Sequence, residues 1–314
     1  VITYDPIIQK ISSNLFTEHN FSVEVLRLDL IHPEISGNKW FKLKRNLQKA
    51  KAGNFKTIIT FGGAFSNHIA ATASACKLEG LNSVGVIRGE KPEVLNPTLL
   101  KAQENGMLLH FVDRKTYSHK TNNQLKNELE KNFGEHYLIP EGGNNKEGVL
   151  GCTEILKPEW DYDVVFCACG TAATFAGILA SLKPNQTLIG INVLKGENTL
   201  VKDALDQLHL VFPGQNFFVG GNDALDKKVI SESCIINNYC FNGYAKLDKH
   251  LIEFKDKFEK EFKIPLDYIY TNKLFYAAFD LIKQNKIKPN SKILIIHCGG
   301  LQGNKGFEER YKLI

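Results

Sequence analysis

The stretch 57-TIITFGGAFSNHIAATASACKLEG-80 decides how this chain folds. Its first five residues are apolar or β-branched on consecutive positions, which is how a strand covered on both faces reads. A Gly-rich turn follows, and Ser66 or Asn67 can then cap a helix through 69-IAATASACKLEG that Gly80 ends. The same unit recurs along the chain. The runs 82-NSVGVI, 107-MLLHFV, 163-DVVFCA, 187-TLIGINV and 292-KILIIH are each followed by a stretch of helical character. Upstream, Asn38 can cap a helix running to about Lys51, which Gly53 ends. Strand-helix alternation of this kind implies right-handed βαβ units and open parallel sheets, an α/β fold.

A length of 314 residues exceeds the range over which one compact core keeps growing, so two sheets suit it, with the Gly/Asn-rich 141-EGGNNKEGVLG as a crossing point. Residues 212–245 show weaker periodicity and read as an excursion carrying site loops. Apolar residues at 43% and charged residues at 23% match soluble globular proteins, which excludes disorder, collagen and coiled coil. The net charge of +5 is small, and the lysines interleave with acids, as in 255-KDKFEKEFK-263. That pattern is a solvated helix face, so no nucleic-acid partner is expected. No apolar run reaches the ~18 residues that span a bilayer, and 1-VITYDPIIQKI lacks the basic-then-apolar order of a signal peptide. A cytoplasmic protein with no membrane partner is the expectation. Seven cysteines at irregular spacing with no CxxC pair suggest neither a disulfide framework nor a metal site, and the thiols should be reduced and mostly buried.

In open α/β sheets, ligands bind beyond the carboxyl ends of strands, where strand-to-helix turns present backbone N–H groups. Four segments have that character: 61-FGGAFSNH, 141-EGGNN, 169-CGTAAT and 297-HCGGLQG. The third of these, 169-CGTAATFAG, passes from strand to helix on small residues with the hydroxyls of Thr171 and Thr174, so a phosphate could approach its backbone closely. No GK[ST] follows it, which excludes a Walker loop, and no GxGxxG follows the first strand. In 36-SGNKWFKLKRN, Lys39 stands at the mouth of a helix whose dipole and basic neighbours disfavour an ammonium, which makes it a candidate Schiff-base lysine. Ser66, Asn67 and His68 stand at a helix start, where a carboxylate or a ring hydroxyl could be held.

The order of these segments carries more than any one of them. GNK, then GG-x-x-SNH, P-E-G-G-x-N, G-T-A-A-T-x-A-G, Y-T-x-K and H-x-GG-x-x-G follow one another between about residues 25 and 305. In this the sequence resembles the pyridoxal-phosphate enzymes comprising 1-aminocyclopropane-1-carboxylate deaminase and D-cysteine desulfhydrase. The resemblance implies the tryptophan-synthase-β type fold, fold type II, with pyridoxal 5'-phosphate as cofactor and a homodimer. It implies a large cofactor-binding domain, residues 1–41 and 152–314, and a small mobile domain, residues 42–151. Lys39 matches the lysine that carries the cofactor, and Lys42 a second lysine close to its phosphate. Asn67 matches the asparagine beside the ring hydroxyl, and Ser66, with His68 next to it, the segment at the substrate carboxylate. Gly170, Thr171, Ala172, Ala173 and Thr174 match the phosphate cup, although the family commonly has Gly at the two alanine positions. Tyr244 and Tyr270 match two active-site tyrosines, and Gly143 and Asn144 the loop that closes on the substrate.

The resemblance also frames the choice of substrate. In enzymes that open the cyclopropane ring, a glutamate facing the pyridine nitrogen follows the second tyrosine; here Thr271 follows Tyr270, as in the desulfhydrase branch. Cys298, where the family usually has Thr or Leu, is the other candidate for that nitrogen. Both are neutral, and a neutral partner leaves the ring a shallower electron sink, which suits β-elimination. The expectation is therefore a lyase acting on a small amino acid by D-cysteine desulfhydrase-like elimination, giving a 2-oxo acid and ammonia. Ring-opening deamination is the alternative. The family's arginine after SNH is absent, Ala70 and Ala71 standing there. From a different class, the 169-CGTAAT loop alone would serve a phosphate-ligand binding protein without Schiff-base chemistry.

Overall fold

A computed structural model describes residues 2, 4–195 and 199–313, so Val1 and Thr3 of the opening stretch lie outside the described residues. Among the described residues, ten strands form two sheets. β1 (Ile8–Ile11), β2 (Ser22–Arg27), β7 (Val164–Cys169), β8 (Thr187–Asn192), β9 (Cys234–Ile236) and β10 (Lys292–His297) make the larger, in the order β1-β2-β10-β7-β8-β9. β3 (Thr57–Gly62), β4 (Asn82–Arg88), β5 (Met107–Val112) and β6 (Tyr137–Ile139) make the smaller, in the order β5-β4-β3-β6. All pairings are parallel except that of β1 with β2 at one edge.

The strand order locates the site before any side chain is considered. In the small sheet the chain runs outward from β3 through β4 to β5, then returns to place β6 on the other flank of β3. In the large sheet it runs from β7 through β8 to β9, and β10 then joins the other flank of β7. Each reversal opens a crevice at the carboxyl ends of the central strands. Those ends are continued by Gly63–Ser66 and Pro140–Gly142 in the small sheet, and by Gly170–Thr174 and Cys298–Gly300 in the large one.

The six runs read from the sequence are β3, β4, β5, β7, β8 and β10; all but the edge strand β5, which is fully buried only at Met107 and Val112, are buried along most of their length. Two helix caps behave differently from each other. Ser66 caps the Asn67–Leu78 helix, its Oγ accepting from the Ile69 N–H at 3.3 Å. Asn38, by contrast, lies inside the Asn38–Ala52 helix, whose cap position is Gly37. The excursion at 212–245 holds β9 as an inner-core strand, Cys234, Ile235 and Ile236 all being buried. The 255-KDKFEKEFK-263 stretch is solvated on one side only. Phe258, Phe262 and the stem of Lys255 are buried, with Lys255 Nζ paired to Glu259 at 2.7 Å and 4.7 Å from the centre of the Tyr268 ring. Burying such an aromatic contributes about 1.5–3 kcal/mol, more than a partly exposed ion pair does.

Candidate active site

The two switch points face each other across a cavity of ≈ 230 Å³. Gly63, Ser66, Asn67 and His68 line it from the small sheet; Gly170, Thr171, Thr174, Cys298 and Gly299 line it from the large one. Lys39, Lys42, Tyr244 and Tyr270 also line it.

Lys39 reaches the cavity because of Gly37. At φ +71° a Cβ there would lie 1.8 Å from the Cys298 carbonyl oxygen, so only glycine lets the chain pass β10's loop and start the helix. Lys39 Nζ donates to Asn38 Oδ1 at 2.8 Å, and Asn38 Nδ2 donates to Thr174 Oγ1 at 2.8 Å. Burial, then the like charge of Lys42, draws the Lys39 amine down to about 7. Lys42 is 2% exposed, its Nζ donates to Thr171 Oγ1 at 3.0 Å, and burial lowers its pKa as well. No carboxylate pairs with it among the described residues, and an anion bound here would favour its charged form.

That anion has a second source of stabilisation. The Ala172–Ser181 helix begins at this wall, and Thr171, at its cap position, makes no side-chain cap bond. Ala172 and Ala173 turn their methyl groups into apolar clusters, which leaves the cavity to Gly170, Thr171 and Thr174. A Cβ on Gly170 would sit 2.9 Å from Cε1 of Tyr270, so the alanines are tolerated where a side chain at 170 is not. Asn144 lies against the same helix start, its Oδ1 accepting from the Ala173 N–H at 3.0 Å. Gly143 backs onto Lys42 and His68: a Cβ there would lie 3.0 Å from Lys42 Cβ and 3.5 Å from His68 Cε1.

Several other groups on the wall are neutral. Burial pushes the Cys298 thiol up to about 12, and its Sγ donates to the Ile296 carbonyl at 3.5 Å. Tyr244 and Tyr270 meet edge to face, centroids 6.5 Å apart, and burial raises both phenols, which keeps them protonated donors. His68 Nε2 lies 2.9 Å from Thr60 Oγ1, and that hydroxyl donates to the Ile139 carbonyl at 2.9 Å. The proton is thereby fixed on His68 Nε2, and burial with the neighbouring lysines keeps the ring neutral. Asn67 Oδ1 accepts from Gln302 Nε2.

Thr271 stands apart from this group and does not line the cavity. It is 0% exposed, its Oγ1 donates to Asp267 Oδ1 at 2.7 Å and accepts from the Asp267 N–H at 2.8 Å. Its expected contact with the cofactor is therefore corrected: the hydroxyl is spent on its own helix start, and of the two neutral candidates Cys298 alone reaches the cavity. Three further charged residues reach the wall without having been singled out in the sequence: Arg88, Glu141 and Lys195. Arg88 is the last residue of β4, its guanidinium 5.8 Å from the Tyr117 ring centre, and the strand-end rule would have found it. Glu141 lies inside the P-E-G-G segment and pairs with Lys120 at 3.0 Å.

A near-neutral amine, a second buried lysine without a carboxylate partner beside a helix N-terminus, and a neutral thiol and two phenols on the wall fit a carbonyl compound that carries a phosphate. Comparison with known proteins agrees. The family model described as "Pyridoxal-phosphate dependent enzyme" matches residues 11–299. A bifunctional D-cysteine desulfhydrase/1-aminocyclopropane-1-carboxylate deaminase of Arabidopsis thaliana, named as mitochondrial, is 31% identical over 301 residues, covering 89% of this chain and 72% of that protein. A crystal structure of an ACC deaminase homologue superposes with a TM-score of 0.82 at 26% identity, covering 100% of this chain and 95% of that one. A hydrogen sulfide-producing enzyme from Fusobacterium nucleatum shares the fold, with a TM-score of 0.66 at 17% identity over 96% of this chain and 97% of that one. Nothing among these supports a phosphate-binding protein without Schiff-base chemistry.

Proposed function

Because the chain belongs to the pyridoxal-phosphate dependent enzymes, we propose that it deaminates a small amino acid by D-cysteine desulfhydrase-like β-elimination, giving a 2-oxo acid and ammonia. The observation that carries this reading is the pairing of a near-neutral amine, Lys39, with a neutral thiol, Cys298, on one cavity wall. When bound, pyridoxal phosphate supplies an electron sink that lets the substrate's Cα proton leave. Lys39 would carry it, Lys42, Thr171 and the Gly170–Thr174 helix start would hold its phosphate, Asn67 its ring hydroxyl, and Cys298 would stand by its ring nitrogen. A neutral thiol leaves that nitrogen largely unprotonated, which favours rapid expulsion of a leaving group over a long-lived carbanion.

In this reading Ser66 and the N–H groups of its helix bind the substrate carboxylate, and the small domain, residues 42–151, closes over it with Gly143 and Asn144. The Lys39 amine accepts the Cα proton. The bond to the β-substituent then breaks with its electron pair on the departing atom, to which the phenol of Tyr244 or Tyr270 donates a proton. The unsaturated amino acid released takes up water and yields the 2-oxo acid and ammonia. The same reading carries a homodimer in the cytoplasm; seven unpaired cysteines, with Cys240 alone of them less than fully buried, support a reducing compartment. Among the described residues no helix is long and apolar enough to cross a membrane.

A substrate panel tests the assignment. D-cysteine or β-chloroalanine should give 2-oxo acid with kcat/KM at least about tenfold above that for the cyclopropane amino acid, since binding alone discriminates such close analogues weakly. The Arabidopsis relative is named for both activities, and faster ring opening would reverse the ranking.

The Lys39 pKa gives a second expectation. Only the neutral amine attacks an aldehyde, so reconstitution of cofactor-free protein with pyridoxal phosphate should accelerate as pH rises through about 7 and level off above it. A surface lysine would still be gaining rate near its ordinary value of about 10.4. Stopped-flow absorbance across pH reads the midpoint, and one above about 9 would remove Lys39 as the acceptor.

A further inference from the structure

Lys273 lies in the Thr271–Lys283 helix and is 1% exposed. Its Nζ donates to three backbone carbonyls: Val193 at 2.8 Å, Cys240 at 2.9 Å and Gly243 at 2.9 Å. An ammonium has three donors and no acceptor, so this cage uses it completely. Burial draws the pKa down to about 8, and near neutral pH the side chain is still the cation.

The three oxygens come from two loops distant in sequence. One follows β8 and brings Leu194 to the cavity; the other immediately precedes Tyr244. They are packed together, a Cβ on Gly243 falling 3.0 Å from Lys195 Cβ. Two further observations say the second loop does not hold its shape unaided. Phe241 and Ala245 sit at φ +49° and +50°, left-handed conformations that cost a non-glycine residue energy. Three carbonyl dipoles converging within 3 Å of one point also repel one another unless a cation sits between them, the arrangement with which rings of carbonyls hold monovalent ions.

We propose that Lys273 is a positioning residue: its ammonium acts as a built-in monovalent cation that clamps the two loops and so sets Tyr244 against the cavity. With the side chain removed, the cage should accept a free cation of the potassium or ammonium class. The inference rests on the reading of Tyr244 as part of the reaction site. The carbonyl cage itself does not.

The test uses the holoenzyme with Lys273→Ala, which empties the cage, and Lys273→Met, which fills it without a donor. Both should lose about 10- to 100-fold in kcat with KM changed by less than about threefold, as expected when a group is misplaced near the chemistry but substrate binding is kept. At equal ionic strength, ammonium or potassium should restore at least about tenfold of the Lys273→Ala kcat and raise its Tm with concentration. Tetramethylammonium, too large for the cage, should do neither, and Lys273→Met should respond to none of them. Wild-type kcat in either variant would overturn the positioning role. A folded Lys273→Ala variant with no cation-specific change in Tm or kcat would overturn the cage, as would one that folds in none of these salts. If the panel above finds no elimination activity in wild type, the Tm comparison still decides the cage, so the two failures are distinguishable.

Discussion

Lys39→Ala should abolish turnover, with a loss of about 10³–10⁴-fold or more in kcat, because in the proposed mechanism one side chain supplies both the covalent attachment and the base. Two buried amines compete for this assignment, and their partners separate them. Lys39 Nζ donates to the amide of its neighbour Asn38, whereas Lys42 Nζ donates to Thr171 at a helix start, where an anion would be stabilised. Lys42→Ala should accordingly weaken retention of the cofactor and leave its point of attachment unchanged. Lys39→Arg should be as inactive as Lys39→Ala, since a guanidinium stays protonated and cannot act as nucleophile or base. Borohydride reduction of the wild type, then peptide mapping, should leave the pyridoxyl group on Lys39. A label on Lys42 would exchange the two roles.

The difference between the strands that could be read from the sequence and those that could not is one of burial and length. β3, β4, β7, β8 and β10 are sheet interiors covered by helices, so nearly every position is buried and the apolar residues fall on consecutive positions, broken only by small or hydroxyl-bearing ones. β6 and β9 have three residues each, too few for any period, and take their conformation from pairing with β3 and β8. β2 was missed for another reason: Glu24 interrupts its apolar run, and only the fold shows that this carboxylate accepts the Tyr162 hydroxyl at 2.5 Å. The site divides similarly. Small-residue turns and the GNK lysine carry local signatures, because backbone approach and helix dipoles are set by neighbours in sequence. Arg88 carries none, and although Lys273 closes the Y-T-x-K segment, its carbonyl cage comes from loops distant in sequence and could not be read there. Thr271 shows the opposite limit. Its place beside Tyr270 was legible, but the direction of its hydroxyl depends on Asp267, which no motif flagged.

Thr271→Glu should therefore unfold the protein more readily rather than retune its chemistry. Read from the sequence, this change puts a carboxylate at the ring nitrogen. In the fold it puts one against Asp267. Asp267 is itself buried and already accepts four bonds: Thr271 N and Oγ1 at Oδ1, both 2.7 Å, and Ile269 N and Tyr270 N at Oδ2, both 2.9 Å. These bonds close the start of the helix that bears Lys273. A glutamate there loses the hydroxyl that donates to Asp267, cannot accept from the Asp267 N–H in the same geometry, and adds a second buried negative charge. The expected cost is about 3–5 kcal/mol, the range for an uncompensated buried charge. At about 2–4 °C per kcal/mol for a domain of a few hundred residues, Tm should fall by roughly 10 °C. Like-charge repulsion raises the carboxyl pKa in the folded state, so the folded variant binds more protons than the unfolded one across the carboxyl range. The deficit should then grow as pH rises through that range and shrink as it falls. Cys298→Ser supplies the contrast: it keeps a neutral hydrogen-bonding group on the cavity wall, and both Tm and elimination rate should stay close to wild type. Thermal melts of the two variants at several pH values, with the substrate panel run alongside, separate the outcomes. A Thr271→Glu protein that melts like wild type and gains ring opening would mean that residue 271, not Cys298, meets the nitrogen.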